Sequence, residues 1–253
     1  MSEQTIFGKL FKAKRNWSVM PIQSGNCVHG AEKTVQKALQ ARLLELPVGE
    51  WIKEGARREK HWLSEDGLRL LASNFKDEQK HDEQLDYCYR NLTLCDRETK
   101  EEIEKESQEI IQKWFKMGEK YHPILVTWIA EQSVFFPVLT IYRRLGGVQL
   151  ASVAAEISRD EAIHARTNGT MSKMLGQQIT PELDDLRQET MEWLTSDLDG
   201  SIDGIYGQQK SYLDQSYKLL HEGKYIEFKD TSAAIMVGFF ETHRSHIPRY
   251  GTV

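Results

Sequence analysis

Apolar residues recur three and four positions apart along most of this chain, which is the spacing of one face of an α-helix. Val35, Leu39, Leu43 and Leu46 form the first such stripe. Glycine and proline are sparse, and β-branched residues do not alternate with polar ones over any long stretch. The pattern therefore predicts an all-α protein, and its 253 residues are enough for one large domain with a buried core.

Capping and turn residues divide this pattern into separate helices. Ser64, followed by acidic residues, predicts the start of a long helix that runs to about Asn91, and Pro123 favours another helix start. Pro47 either begins a new helix or kinks a continuous one. The other expectations are an N-terminal arm over residues 1–30, a kink at Pro137, a break at Gly146 and Gly147, a loop at 197–204, and helices at 97–121, 148–175, 181–198, 205–221 and 225–245.

Composition excludes several classes of function. The net charge of −5 gives no electrostatic case for binding nucleic acid, and the short basic run Lys9–Arg15 is interpreted as a solvated part of the arm. No stretch approaches the ~20 apolar residues that cross a bilayer. The N-terminus lacks the order of a signal peptide, and the cysteines lack metal-site spacing. We therefore expect a cytoplasmic protein with reduced thiols and no membrane span.

Two Glu-x-x-His motifs carry the chemistry of the sequence. They are Glu78-Gln-Lys-His81 and Glu161-Ala-Ile-His164, and each lies on a long predicted helix. An i, i+3 pair shares one helix face, so its carboxylate and imidazole can reach the same ion. Carboxylate oxygen with imidazole nitrogen suits iron or manganese. In di-metal bundles two helices carry such motifs, and two others supply a single glutamate each.

Glu131 and one earlier residue are the candidates for the single glutamates. Glu131 lies in the otherwise apolar segment 126–136, where a carboxylate costs several kcal/mol unless it is paired or binds a metal. If the chain folds back near residues 62–64, Glu50 comes level with Glu78 and is the preferred fourth carboxylate. Glu45 is the alternative, if the first helix ends at Pro47, and Glu54 is less favoured among basic neighbours.

These positions together resemble the ferritin-like di-iron carboxylate superfamily over roughly residues 31–195. The octapeptide Ile157-Ser-Arg-Asp-Glu-Ala-Ile-His164 is similar to the second metal motif of the ribonucleotide reductase small subunit. The spacing from Glu50 to Glu78 looks more like the compact di-metal oxidases of the same superfamily. The resemblance implies a ferritin-like four-helix bundle with additional helices, formed by residues 31–253. Asp160 matches a family aspartate that orients a metal-bound histidine.

The resemblance also implies two iron ions, two manganese ions or a mixed pair, which react with O2. The chain departs from the reductase subunit because Leu85 occupies the position of the radical tyrosine. Tyr87 and Tyr89 are close in sequence, but the shift of two residues to Tyr87 turns its side chain by about 200° around the helix. Its C-terminal tail, 246–253, is not acidic. The first hypothesis is therefore an O2-activating oxidase or oxygenase with a small-molecule substrate or electron donor, expected as a homodimer. The alternatives are a tyrosine-less radical-generating reductase subunit and an iron-storage or structural metal protein.

Overall fold

A computed structural model describes residues 3–22, 26–198 and 202–223, and within these ranges every regular element is a helix. The prediction of an all-α protein is confirmed for this part of the chain. A π-helical turn, Glu131–Phe135, and a short 3-10 turn, Ile205–Gly207, accompany the α-helices. The α-helices are α1 (Glu3–Ala13), α2 (Glu32–Leu39), α3 (Arg42–Glu59), α4 (Glu65–Asn91), α5 (Arg97–Lys120), α6 (Pro123–Ala130), α7 (Phe136–Arg144), α8 (Gly147–Met174), α9 (Pro181–Thr195) and α10 (Gln209–His221).

Most helix starts and ends follow the local signals of the sequence. The Ser64 hydroxyl accepts a hydrogen bond from the backbone N–H of Gly67 at 3.2 Å, so it caps α4 as predicted. Pro123 is the first residue of α6, and Pro181 the first of α9. α8 begins at Gly147, which has a positive φ of 73°. The helix predicted at 225–245 lies outside the described residues.

The break in the first helical region lies at Gln40 and Ala41 rather than at Pro47. There the backbone N–H groups bond to carbonyls three residues earlier, and α3 then continues through Pro47. Because Pro47 lacks an N–H, this costs α3 only the bond to the Leu43 carbonyl. The break rotates α3 relative to the expected stripe, so Leu46 is 47% exposed while Leu44 and Val48 are buried.

The predicted disturbance around Pro137 takes the form of a π-helical turn. The turn Glu131–Phe135 precedes α7, and Pro137 lies in the first turn of that helix. Proline cannot donate to the carbonyl of Ser133, four residues earlier. The hydroxyl of Ser216 on α10 donates to that carbonyl instead, at 2.6 Å. The freed backbone acceptor is therefore satisfied by a neighbouring helix, and the wider turn is retained inside the core.

Four helical segments enclose one interior region: α3, α4, α8, and α6 continued by the π-helical turn and α7. α3 packs along α4, α8 contacts α4, α6 and α7, and α3 also contacts α6. α1 lies against α4 and α8, while α2, α5, α9 and α10 pack around the outside of this group. Side chains from α3, α4, α6, the π-helical turn and α8 can therefore meet in one interior region.

Within the described residues, Pro123–Arg144 is a helical stretch long and apolar enough, by length and composition, to cross a membrane. This differs from the expectation that no stretch approaches that length. Of its most apolar window, 89% is buried inside the protein, which is how a core helix of a folded domain looks. The absence of a membrane span stays a prediction.

The N-terminal arm is not merely solvated. Phe7 of α1 is fully buried, and the side chain of Lys14 is 10% exposed and forms an ion pair with Asp77 of α4. Lys9, Lys12 and Arg15 are exposed, as expected of the basic run. The interpretation of Lys14 as part of a solvated arm is thus wrong, because it follows a helix that packs on α4. The domain boundary at residue 30 stays a prediction.

We expect Gly55→Ala to destabilise the protein by about 1–3 kcal/mol, as overpacking in a core does. A Cβ at this position of α3 would lie 2.4 Å from Cδ1 of Ile124, at the contact between α3 and α6. Chemical denaturation would measure the loss. Ile124→Ala in the same chain removes both clashing atoms, Cδ1 and Cγ1 (2.5 Å), so the double variant should lose less stability than the two single variants lose in sum. Equal stability of Gly55→Ala and wild type would contradict this close contact.

Candidate metal centre

A cluster of carboxylates and imidazoles occupies the region enclosed by α3, α4, α6, the π-helical turn and α8. Each of its side chains is at most 2% exposed, although these residue types are rarely buried unless they are paired. The carboxylate–histidine cluster consists of Glu45 on α3, Glu78 and His81 on α4, Glu131 at the start of the π-helical turn, and Glu161 and His164 on α8.

The cluster divides into two groups of possible metal ligands. One group is Glu45, Glu78, His81 and Glu161, and the other is Glu78, Glu131, Glu161 and His164. Within each group, the ligand atoms lie within 4.8 Å of one another. Ligands on opposite sides of one ion, each about 2.0–2.2 Å from it, are about 4.0–4.4 Å apart. Each group therefore has the dimensions of one ion site, and Glu78 and Glu161 belong to both.

The two motifs face each other across α4 and α8. Nδ1 of His164 lies 2.7 Å from Oε1 of Glu78, and Nδ1 of His81 lies 3.1 Å from Oε1 of Glu161. The histidine of each motif thus approaches the glutamate of the other. Each of these contacts joins the first residue of one motif to the last residue of the other, so α4 and α8 are antiparallel. This register brings both Glu-x-x-His motifs to the same level.

The polar atoms of the cluster make few hydrogen bonds to one another, which leaves them available to bind cations. Both oxygens of Glu78 and of Glu161, and Nδ1 of both histidines, are buried without a hydrogen bond of normal geometry. An unsatisfied buried polar atom costs about 1–3 kcal/mol, and a charged one more. Four carboxylates carry a charge of −4, which two divalent ions would balance. The donor set therefore fits two such ions.

Glu50, the preferred fourth carboxylate, lies outside the cluster, and that choice is wrong in geometry. Its side chain is 62% exposed and pairs with Lys53 on the surface of α3. Glu45 is 2% exposed, and its Oε2 lies 3.6 Å from Nδ1 of His81. Five residues on one helix correspond to about 140° of rotation, so the two glutamates cannot share a face. The break at Gln40 and Ala41 sets the rotation that turns Glu45 inward.

Two aspartates lie within hydrogen-bond distance of the Nε2 atoms of the two histidines, on the opposite side of each ring from Nδ1. Oδ2 of Asp160 lies 3.2 Å from Nε2 of His81, and Oδ2 of Asp77 lies 3.2 Å from Nε2 of His164. Such partners fix the ring orientation and make the other nitrogen a better ligand. Asp77 was missed in the sequence. Its signal is that both motifs read Asp-Glu-x-x-His, with the aspartate of each motif serving the histidine of the other.

The segment after α1 covers these aspartates. Lys14 pairs with Asp77, and its Nζ lies 3.2 Å from Nε2 of His164. The indole N–H of Trp17 donates to Asp160 at 2.7 Å, and the ring stacks on His81 with centroids 6.1 Å apart. No motif signals these contacts, because the arm is remote in sequence from both helices. Lys14 and Trp17 are therefore site residues that only the fold reveals.

A side chain on α8 binds the carboxylate of Glu131. The side-chain amide of Asn168 donates to both carboxylate oxygens of Glu131, at 3.1 and 2.8 Å. Asn168 lies one turn after His164, so one helix supplies both a possible ligand and the group that orients another. Glu131 is also the first residue of the π-helical turn, and such turns are frequent at functional sites.

Burial and neighbouring charges set the protonation of these side chains. Burial raises the pKa of Glu45, of Glu131 and of Glu161, and neighbouring carboxylates add to the effect. Burial and Lys14 oppose protonation of His164, but the surrounding carboxylates outweigh them and raise its pKa to about 10. The pKa of His81 is also raised, because its carboxylate partners outweigh burial. Without metal, protons therefore compensate part of the negative charge.

Leu85 is 1% exposed, and neither Tyr87 nor Tyr89, the tyrosines on α4, replaces it as a buried side chain at that position. Tyr87 is 38% exposed, and the hydroxyl of Tyr89 donates to Glu104. Tyr142 on α7 is a further tyrosine, which no motif in the sequence marks. It is fully buried, its hydroxyl donates to the Ala38 carbonyl at 2.7 Å, and burial, with Cys88 and Glu45, raises its pKa well above the ordinary value.

We expect about two iron or manganese ions per chain in protein purified from cells supplied with both metals. Glu78→Ala and Glu161→Ala each remove a carboxylate shared by the two groups, so both variants should lose most of the metal. Elemental analysis by mass spectrometry measures the content. Full occupancy in both variants would place the metal elsewhere.

Glu45→Ala should lower metal content, while the matched variant Glu50→Ala should leave it nearly unchanged. The physical reason is that only the Glu45 carboxylate is buried beside His81. The same elemental analysis, with circular dichroism to verify folding, decides between them. The opposite result would mean that α3 is rotated in the metal-bound protein.

Metal affinity should rise with pH between about pH 6 and 8. Both histidines have raised pKa values, so in that range the metal-free protein holds protons that a cation must displace. Raising the pH removes this competition, and lowering it strengthens the competition. Dissociation constants for Mn²⁺ at several pH values, together with direct measurement of released protons, test the relation. Affinity independent of pH would show that binding does not involve the histidines.

Comparison with known proteins leaves the family open. No family model, curated protein or solved structure matches this chain. The residues and distances of the carboxylate–histidine cluster are thus the basis for assigning a function.

Proposed function

We propose that this protein is an O2-activating di-metal oxidoreductase, in which α3, α4, α6 with α7, and α8 form a ferritin-like bundle around two iron or manganese ions. The observation that carries the proposal is the pair of ligand groups that share Glu78 and Glu161. A shared pair of carboxylates holds two cations close together, which a single-ion site does not require. This arrangement also agrees with the resemblance in the metal motifs of the sequence.

The ligand types favour iron or manganese with free coordination positions. Each ion would have one imidazole and up to three carboxylates, a hard ligand set with a single nitrogen. Structural zinc sites are typically closed by four ligands rich in cysteine and histidine, and cysteine is absent from both groups. Six-coordinate ions bound by four side chains retain positions for O2 or substrate. The site is therefore suited to a reaction more than to structural support.

The residues of the cluster have distinct roles in this proposal. Glu78 and Glu161 would bridge the ions, Glu45 and His81 would complete one position, and Glu131 and His164 the other. When bound, the reduced metal pair supplies electrons for the reduction of O2. The protein keeps bulk water from the site by complete burial and fixes the ligands through Asp77, Asp160 and Asn168.

A cleft along the π-helical turn and α8 supports a small-molecule substrate, although none of the six cluster residues lines it. It has a volume of about 560 Å³, within the range of about 300–1,000 Å³ for ligand pockets. Trp128, Gln132 and Phe136 line one side, and Ala165 and Gly169 of α8 line the other. Gln132 directly follows Glu131, so the cleft adjoins the π-helical turn. A cleft of this size along two elements that carry cluster residues supports an oxidase or oxygenase over metal storage.

A radical-generating reductase subunit is the second candidate, and the contact of Trp17 is compatible with it. Trp17, Asp160 and His81 form a hydrogen-bonded chain that leads outward from the cluster. An oxidisable indole joined by hydrogen bonds to a metal-ligating histidine can exchange an electron with the metals. The oxidase uses the same chain for electron entry, so the contact does not separate the two functions. A cytoplasmic homodimer without nucleic-acid partners remains the expectation for both.

Adding O2 to the reduced, iron-loaded protein should give O2 uptake and a metal-centred oxidised species without a stable tyrosyl radical. The reason is that Leu85 occupies the expected tyrosine position and the hydroxyl of Tyr89 is engaged by Glu104. An oxygen electrode and electron paramagnetic resonance measure the two quantities. Glu78→Ala is the control that should abolish both the uptake and the metal signal.

Two results would change the assignment. A long-lived tyrosyl signal that is removed by Tyr89→Phe or Tyr142→Phe would favour the radical-generating subunit, as would capture of a reductase large subunit in a pull-down. Uptake of O2 equal in wild type and Glu78→Ala would exclude the cluster as the site of reaction. Uptake that depends on Glu78, without a tyrosyl signal or a large subunit, supports the oxidase.

A further inference from the structure

The two halves of the carboxylate–histidine cluster are similar in their ligands and different in the charges behind them. Behind His81, Asp160 accepts a hydrogen bond from the neutral indole of Trp17. Behind His164, Asp77 is paired with Lys14, and Lys80 lies 3.4 Å from its other oxygen. Lys80 also lies 4.6 Å from the centroid of the Trp17 ring, so it is near both halves. Among the described residues, the charge that distinguishes the two halves is therefore the ammonium group of Lys14 beside Asp77 and His164.

This difference changes how well each imidazole can bind a cation. A carboxylate that accepts the Nε2 proton pushes electron density toward Nδ1, which strengthens that nitrogen as a ligand. Lys14 competes for the same oxygen of Asp77 and lies 3.2 Å from Nε2 of His164. Its side chain is only 10% exposed, so solvent screens the positive charge weakly. A cation near His164 thus meets a weaker donor and a nearby like charge.

The terminal carboxylates differ in the same direction. Both oxygens of Glu131 accept hydrogen bonds from Asn168, which draws electron density from the carboxylate. Oε2 of Glu45 has no hydrogen-bond partner. The position beside Glu131 and His164 therefore has the poorer carboxylate as well as the poorer imidazole. The two contributions come from Lys14 and Asn168 and reinforce each other.

We propose that Lys14 makes the two metal positions unequal, so that a divalent cation fills the position at Glu45 and His81 first and the position at Glu131 and His164 second and more weakly. The inference rests on the proposed metal centre and adds a loading order to it. It gives the N-terminal arm a direct part in metal loading, because Lys14 follows α1 and is held there by the packing of that helix on α4 and α8. The position that fills second is the exchangeable one.

Titration of the metal-free protein with Co²⁺ under anaerobic conditions tests the order of loading. Calorimetry and the visible absorption of Co²⁺ should resolve two steps whose dissociation constants differ by at least about tenfold, the size of effect that such supporting residues have on metal affinity. Glu45→Ala should remove the tighter step, and Glu131→Ala the weaker one. Two equal steps in the wild type, or the reverse assignment, would overturn the proposal.

Lys14→Met tests the cause. It should tighten the second step by about tenfold and change the first much less, because the lost charge lies beside His164. Lys14→Arg should keep the wild-type difference. Lys53→Met removes a lysine that is 63% exposed on α3 and should leave both steps unchanged. If Lys14→Met shifts both steps equally, Lys14 acts on the general charge and not on one position.

The two aspartates give an independent test that does not depend on the stability of the Lys14 variant. Asp77→Asn should weaken only the second step, and Asp160→Asn only the first, because each serves one histidine. A change in the same step for both variants would contradict the assignment. A wild-type protein that binds no Co²⁺, Mn²⁺ or Fe²⁺ would refute the metal centre itself, whereas two equal steps would refute only the unequal loading.

Discussion

The burial of four glutamates around two histidines is the constraint on which the rest of this structure depends. An ionised carboxylate inside a protein is several kcal/mol unfavourable unless a partner compensates it, and here the four carboxylates outnumber the imidazoles. Protons compensate them in part, as the raised pKa values of Glu45, Glu131 and Glu161 indicate. Two divalent cations would do so more completely, which is why the charge of the core supports the proposal of a pair of bound metal ions.

The surrounding elements can be understood as support for that cluster. Asp77 and Asp160 bind the far nitrogens of the histidines in a crossed arrangement, so each motif depends on the other helix for the orientation of its ring. The π-helical turn at Glu131 is retained because Ser216 takes the backbone acceptor that Pro137 leaves free. The segment after α1 then covers the aspartates with Lys14 and Trp17. Folding of the N-terminal arm and order in the site are therefore coupled.

The same contacts set what the site can do. Two ions held by the shared Glu78 and Glu161, with one imidazole each, would keep open positions in a region that excludes bulk water. The chain of Trp17, Asp160 and His81 offers a route for an electron between the surface segment and the interior. The ammonium group of Lys14 lies beside the other histidine, His164, so an approximately symmetric set of ligands experiences an asymmetric electrostatic field. Unequal positions suit a centre in which one ion anchors the pair and the other exchanges ligands.

The sequence by itself determined the helical class, most helix boundaries, and the Glu78, His81, Glu131, Glu161 and His164 set that the fold brings together, because these depend on local spacing, capping and the cost of a carboxylate in an apolar segment. Only the tertiary structure decided between Glu45 and Glu50. That choice depends on the rotation of α3, which is set by a break at Gln40 and Ala41 that no glycine or proline marks. Lys14, Trp17 and Asn168 likewise emerged only from the fold, because a side chain contributes to this site through packing between segments far apart in the chain, and spacing along one helix carries no information about that packing.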